Sequence, residues 1–139
     1  MVNIPVFDVL EPGDEIPALE LPPLNRLDLA LYCGVSGDHN PIHVDIDYAS
    51  NEAGLDDVIG HGMLTMAYLG RTLTNWVPQN TIRYFKTRLH APSQIGDRVT
   101  CSGRITGKTN DGDRVIQVEL SADTDKGVCL ATGQATIIL

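Results

Sequence analysis

Basic residues are scarce in this chain: ten lysines and arginines stand against eighteen aspartates and glutamates, a formal net charge of -8. An excess of that sign excludes broad nucleic-acid binding and obliges any small anionic ligand to find a local basic patch. No apolar run approaches the ~18 residues that a membrane-spanning helix needs. Cysteines number only three (Cys33, Cys101 and Cys129), without CxxC or metal-site spacing, so they read as reduced thiols of a cytoplasmic protein. The opening stretch MVNIPVFDVLEPGDEIPALE lacks lysine and arginine and carries several acids, which excludes an ordinary signal or transit peptide. Tandem repeats, low-complexity tracts and linkers are also missing. At 139 residues, with 42% hydrophobic and 20% charged residues, the expectation is one domain, 1–139, around a single core.

What is present divides into two halves. In the first, Asn25 suits a helix N-cap, with Asp28 three residues on and Leu24 and Leu29 placed as a hydrophobic staple. Leu27, Ala30, Leu31 and Val35 then share one helical face, and Gly34 and Gly37 mark the end. A shorter helix is expected from Asp47 to Gly54. A third, GMLTMAYLGRTLTNWVP, runs from Gly62 to Trp76 or Val77 and stops before Pro78. Met63, Met66, Ala67, Leu69, Gly70, Leu73 and Trp76 leave it little polar face, so protein is expected to surround it. In the second half the period changes. TIRYFKTRLHAP, DRVTCSGRIT, RVIQVELSADT and VCLATGQATII read as strands, with TNDGD and TDKG as turns between them. Two Gly-Asp turns, EPGDEI and QIGDRV, each precede an extended segment. The predicted class is α+β: a long helix wrapped by an antiparallel sheet, whose open edges favour dimerisation by edge pairing.

The stretch SGDHNPIH, residues 36–43, places Asp38 and His43 on either side of an Asn-Pro turn. Pro41 fixes its own φ and pushes Asn40 out of the helical region, and Asn40 can bond its local backbone, so the bend is stiff. A carboxylate and an imidazole held about one water apart can activate that water and handle a second proton. Residue types alone favour the plainer alternative, in which Asp38 caps a turn and His43 is a half-exposed core histidine. Downstream, GHGMLTM sets Gly62 at the mouth of the long helix, where free amides and partial positive charge offer an oxyanion site. His39, His43, Asp45 and Asp47 could suggest a metal. However, Pro41 breaks the helix that would align the two histidines, and no fourth ligand is evident, so no metal site is assigned.

Together, YCGVSGDHNPIHVDIDYA (residues 32–49) resembles the hydratase-2 motif of the MaoC-like hydratase/dehydratase family. Tyr32, Gly37, Asp38, Asn40, Pro41, Ile42, His43 and Ala49 fall at the family spacing. GLDDVIGHGMLTM and TNWV look like single-domain dehydratase subunits of the mycobacterial type, and RLHAPSQIGDRV is similar to the family's strand opening. There, Leu89 stands where phenylalanine is usual and Ser93 where valine is. Gly70 is placed at about the position where some members carry a serine near the catalytic aspartate.

The resemblance implies a hotdog fold and interconversion of trans-2-enoyl and (3R)-3-hydroxyacyl thioesters, without metal or redox cofactor. It also implies dimerisation edge to edge, as a homodimer or with another hotdog subunit. On that basis Asp38 and His43 are the catalytic pair, Gly62 N–H binds the thioester carbonyl, and Asn40 and Pro41 support the loop. Met63, Arg83, Lys86 and Arg88 are candidates for contact with the acyl group and with the phosphates of CoA or phosphopantetheine. His61 is read as a helix-opening residue rather than a proton shuttle, His39 as exposed, and His90 as a strand histidine with no partner evident. A hotdog thioesterase, or a subunit that mainly shapes the tunnel of a heteromeric dehydratase, are the alternatives.

Overall fold

The computed structural model describes residues 4–139. Strand β1 (Glu15–Glu20) leads into α1 (Arg26–Ser36), a 3-10 turn (Pro41–His43), α2 (Ile46–Asn51) and the long α3 (Gly62–Trp76). Strands β2 (Ile82–Leu89), β3 (Val99–Thr109), β4 (Val115–Thr124) and β5 (Cys129–Ile138) follow. The five strands form one antiparallel sheet in the order β1-β3-β4-β5-β2, so β1 and β2 are its edges.

Period-2 alternation turns one face of this sheet inward. Val99, Cys101 and Ile105 on β3, Ile116, Val118, Leu120 and Ala122 on β4, and Ala131, Ala135 and Ile137 on β5 close around Leu69, Leu73 and Trp76 of α3. Leu69 and Leu73 are fully buried, each contributing about 1.5–3 kcal/mol of burial free energy. Among these side chains the Cys101 thiol is pushed up to about 11 by its burial. The arrangement is the hotdog that the family resemblance implies. Across the inner face, Gly103 pairs with both Ile16 and Leu120. A Cβ there would lie 2.8 Å from Ile16 Cδ1 and from Leu120 Cδ2, so the bare backbone lets the neighbouring side chains fold in over it. No helix among the described residues is long and apolar enough to cross a membrane.

The two Gly-Asp turns are built alike. Gly13 and Gly96 take φ of 102° and 89°, a region open chiefly to glycine. The aspartate that follows each accepts from the N–H three residues back, Glu11 to Asp14 Oδ2 at 2.8 Å and Gln94 to Asp97 Oδ2 at 2.7 Å. Buried Asp97 also receives Lys126 Nζ at 2.7 Å, a contact that raises the lysine's pKa.

At α1, Asn25 and Asp28 form a reciprocal capping box, and Leu24 and Leu29 are buried together. The expected apolar face is the wrong one, however. Leu27, Leu31 and Val35 are exposed, and Leu29 and Cys33 are the buried pair. The reason is tertiary: Leu29 joins a second small core with Leu24, Ala49, Val58 and Leu64 of α3, and Cys33 meets His61 at the mouth of that helix. Helix α2 begins one residue earlier than expected, at Ile46, because Asp45 Oδ1 takes the Tyr48 N–H at 3.1 Å and acts as its cap. Its last helical residue is Asn51, short of Gly54. Helix α3 has the expected bounds but is wrapped on one side only, since Met63, Ala67 and Arg71 are exposed.

Candidate active site

The bend at 36–43 is held by a chain of local hydrogen bonds. Ser36 Oγ accepts the Asp38 N–H at 3.1 Å, and Asp38 Oδ1 accepts the Asn40 N–H at 3.3 Å. Asn40 Oδ1 in turn accepts the Ile42 N–H at 3.2 Å, with Pro41 opening the 3-10 turn. With Oδ1 so engaged, Asp38 presents Oδ2 to His43 Nε2 at 3.8 Å. That gap is too wide for a direct hydrogen bond and narrow enough for one water, at about 2.8 Å from each atom, to touch both.

Residues 59–61 set the other restraints. His43 Nδ1 lies 2.7 Å from the carbonyl oxygen of Ile59. A carbonyl can only accept, so Nδ1 carries the proton and Nε2 keeps its lone pair on the side of Asp38. The Ile59 N–H donates to the Ile42 carbonyl at 3.2 Å, and Arg26 pairs with Asp57 at 2.5 Å, which ties this strip to α1 and to the 3-10 turn. The His43 side chain is 9% exposed and that of Asp38 48%. One member is therefore held in the protein and the other faces solvent.

His61 stands at the N-cap position of α3, without a side-chain capping bond, and packs directly against the pair. Its ring stacks on His43 with centroids 3.7 Å apart and planes at 23°, and meets Tyr32 edge-on at 4.8 Å. His61 Nε2 is 3.3 Å from the Asp38 carbonyl oxygen and 3.4 Å from Cys33 Sγ. Burial holds the His61 pKa below the usual histidine range, the nearness of His43 lowers it further, and the Asp38 carbonyl and carboxylate oppose these effects.

Asp38, His43 and His61 bring potential ligand atoms within 4.8 Å of one another, a grouping distinct from the His39/His43/Asp45/Asp47 set weighed above. Its geometry does not suit a metal. Nitrogen lone pairs lie in the ring plane, and two rings stacked at 3.7 Å cannot aim theirs at one ion. Asp45, meanwhile, is occupied as the cap of α2.

Gly62 is the first residue of α3, and among the described residues its N–H meets no acceptor. Leu89, at the end of β2, lies over it: a Cβ on Gly62 would sit 2.5 Å from Leu89 Cδ1. Ser93 is buried, its carbonyl accepts the Gly60 N–H at 2.8 Å, and its side chain fills the space a Cβ on Gly60 would need. Gly70 lies two turns along α3, about 12 Å from the helix mouth, against Phe85 of β2.

The structure brings Asp38, Asn40, Pro41 and His43 together, with Gly62 joined to them through His61. It does not bring all the other candidates there. Met63 is 56% exposed on the first turn of α3. The guanidinium of Arg83 donates to the Asn80 carbonyl at 3.0 Å. Lys86 and Arg88 alternate with the inward Phe85 and Leu89, and line a groove of about 960 Å³ on the outer face of the sheet with Arg104, Glu119 and Gln134. His39 is exposed, and His90 finds a partner in Thr132 Oγ1 at 2.9 Å. Two contributors were not assigned a place in the site from the sequence. Ile59 acts through a backbone carbonyl and leaves no signal. His61 was signalled by the His-Gly pair at the helix start, but its contact with both Asp38 and His43 depends on the packing of α1.

Comparison with known proteins gives a consistent picture. Residues 11–127 match the family described as MaoC like domain. An (R)-specific enoyl-CoA hydratase of Rhodospirillum rubrum is 30% identical over 118 residues, 84% of this chain and 80% of the relative. The 3-hydroxyacyl-thioester dehydratase Z of Mycobacterium tuberculosis is 25% identical over 131 residues, 86% of this chain and 85% of the relative. Among solved structures, the unliganded R-hydratase PhaJ1 of Pseudomonas aeruginosa superposes with a TM-score of 0.82 at 24% identity, covering 95% of this chain and 83% of that one.

Proposed function

This chain belongs to the MaoC-like hydratase/dehydratase family, and from that premise we propose that it adds water to trans-2-enoyl thioesters to give (3R)-3-hydroxyacyl thioesters, or runs the reverse dehydration. The observation that carries the proposal is the placement of the His43 ring: Nδ1 lies 2.7 Å from the Ile59 carbonyl oxygen, to which it can only donate, and Nε2 faces Asp38 Oδ2 across 3.8 Å. In the forward direction Nε2 takes a proton from the water as its oxygen bonds to C3. The electron pair of the double bond passes through the conjugated system to the thioester oxygen, where the Gly62 N–H receives the developing charge. Collapse of the enolate then takes a proton at C2 from the same side, and Asp38 and His43 are the groups there to hold and return it. CoA or phosphopantetheine arrives as part of the substrate.

A second hotdog subunit, identical or not, is proposed to pair along β2. That strand has a free edge, Tyr84 and Leu89 on it are 51% and 48% exposed, and the uncovered side of α3 lies beside it. Met63 would meet the acyl group, while Arg83, Lys86 and Arg88 fit only the phosphate end of the carrier. The free thiols suit a cytoplasmic setting.

The test follows the conjugated absorbance of a short and a long enoyl-CoA, with chiral analysis of the product. Asp38→Asn and His43→Gln are each expected to lose about 10²–10⁴ in rate, and near-full activity in either overturns the pair. Free thiol released from a saturated acyl-CoA would favour the thioesterase instead. Sizing the purified chain, alone and with a second hotdog subunit, reports the assembly.

A further inference from the structure

His61 takes no part in the steps above, yet it is 1% exposed and its ring touches both reacting residues. Since the Asp38 carbonyl accepts and cannot donate, His61 Nε2 carries the ring's proton. Nδ1 is then a buried lone pair without a partner in the described residues. An unpaired nitrogen in such a place is unfavourable, and a leucine or phenylalanine of similar size would avoid it. A phenylalanine, however, would offer a flat face without a donor, and a leucine neither.

We propose that His61 is a positioning residue, a neutral imidazole whose face fixes the plane of the His43 ring and whose Nε2–H fixes the main chain of Asp38, so that together they set the one-water gap. The inference rests on the reaction proposed above, because His61 acts only through that pair. The groups facing it are Asp38 from the loop, His43 from the 3-10 turn, and Tyr32 and Cys33 from α1. No carboxylate among the described residues touches Nδ1, so a second proton on this ring has no acceptor there. It would also stand beside an imidazole that becomes cationic during turnover. Burial and His43 depress its basicity accordingly. The site thus keeps two stacked rings and lets only one of them change charge.

The two contacts can be separated. His61→Phe keeps the stacking face and loses the donor, whereas His61→Gln keeps an N–H near the same point and loses the face. His61→Phe is expected to lower kcat by up to about 10²-fold, the scale of a small misplacement of reacting groups, with KM within about twofold because no substrate contact is removed. Gln is expected to recover part of the loss. The same His61→Phe change made on top of Asp38→Asn is expected to add less than about threefold, since the one-water pair it sets is already broken. A merely structural role would repeat the full loss in both backgrounds and would move KM or the folded fraction.

Wild-type kcat in His61→Phe overturns the inference while leaving the reaction intact, provided Asp38→Asn is inactive. If Asp38→Asn is active, both fall. Should the variants fold poorly, nitrogen NMR of the wild-type imidazoles decides between about pH 5 and 8. A neutral His61 protonated at Nε2 is expected at the upper end of that range, and a ring still protonated there or an Nδ1–H tautomer overturns the proposal.

Discussion

Replacing Gly62 by alanine tests the helix mouth with a single methyl group. The new Cβ would lie 2.5 Å from Leu89 Cδ1, closer than two carbons can stand. In a sealed core such crowding costs about 1–3 kcal/mol, but Leu89 is 48% exposed and its side chain can swing aside. Exchanging glycine for alanine in a helix returns up to about 1 kcal/mol. Stability should therefore change by only about 1 kcal/mol, a small shift in Tm. Activity should change much more, because the displaced leucine crowds the N–H proposed above to meet the thioester oxygen. Losing one such donor is worth about 10²–10³ in kcat, so Gly62→Ala should lower kcat/KM by about 10²-fold in the enoyl-absorbance assay. Gly62→Ala combined with Leu89→Ala removes the collision and should recover most of that loss. Wild-type kcat/KM in the single variant, or a double variant no better than the single, would refute the role given to this amide.

Two further outcomes follow from buried polar atoms. Thr87 Oγ1 is buried without a hydrogen-bond partner, so Thr87→Val keeps the shape, removes the unsatisfied oxygen and should leave the melting temperature unchanged or raise it, by up to about 1 kcal/mol in stability; a clear drop in Tm counts against the assignment. The folded-state pKa of His61 lies below its ordinary value of 6.5. The unfolded chain therefore binds a proton that the native one refuses as pH falls through about 6.5, and native stability from this residue declines on the acid side. Chemical denaturation between about pH 5 and 7 should show a shallower decline in His61→Phe than in wild type, and equal slopes would contradict the shift.

The parts of the fold that were legible in the sequence rest on short-range chemistry. The Asn25/Asp28 box, the Leu24/Leu29 staple, the Gly-Asp turns and the span Gly62–Trp76 each need only neighbours within a few residues. The Asp38/His43 pair was legible for the same reason, since a six-residue span across Asn40-Pro41 leaves the backbone few ways to run. Long-range choices were not legible. Leu27, Leu31 and Val35 have proper helical spacing, and nothing local says that the Leu29/Cys33 side meets the second core. Asp45 and Asp47 are both plausible caps until the 3-10 turn ahead of them fixes Asp45 in the capping conformation. The joining of β1 to β3, across more than eighty residues, follows from the closing of the sheet around α3 and from no pattern in either strand.

The bend carrying Asp38 and His43 is braced by its own hydrogen bonds but not aimed by them. Its imidazole is oriented by a carbonyl sixteen positions away and flanked by a ring eighteen positions away, both on the strip that opens α3. Grafting residues 36–43 alone into a foreign scaffold would transplant the reagents and leave behind the instrument that points them. The smallest portable unit is therefore the pair of segments together, 36–43 with 59–62, held at the spacing that α1 imposes.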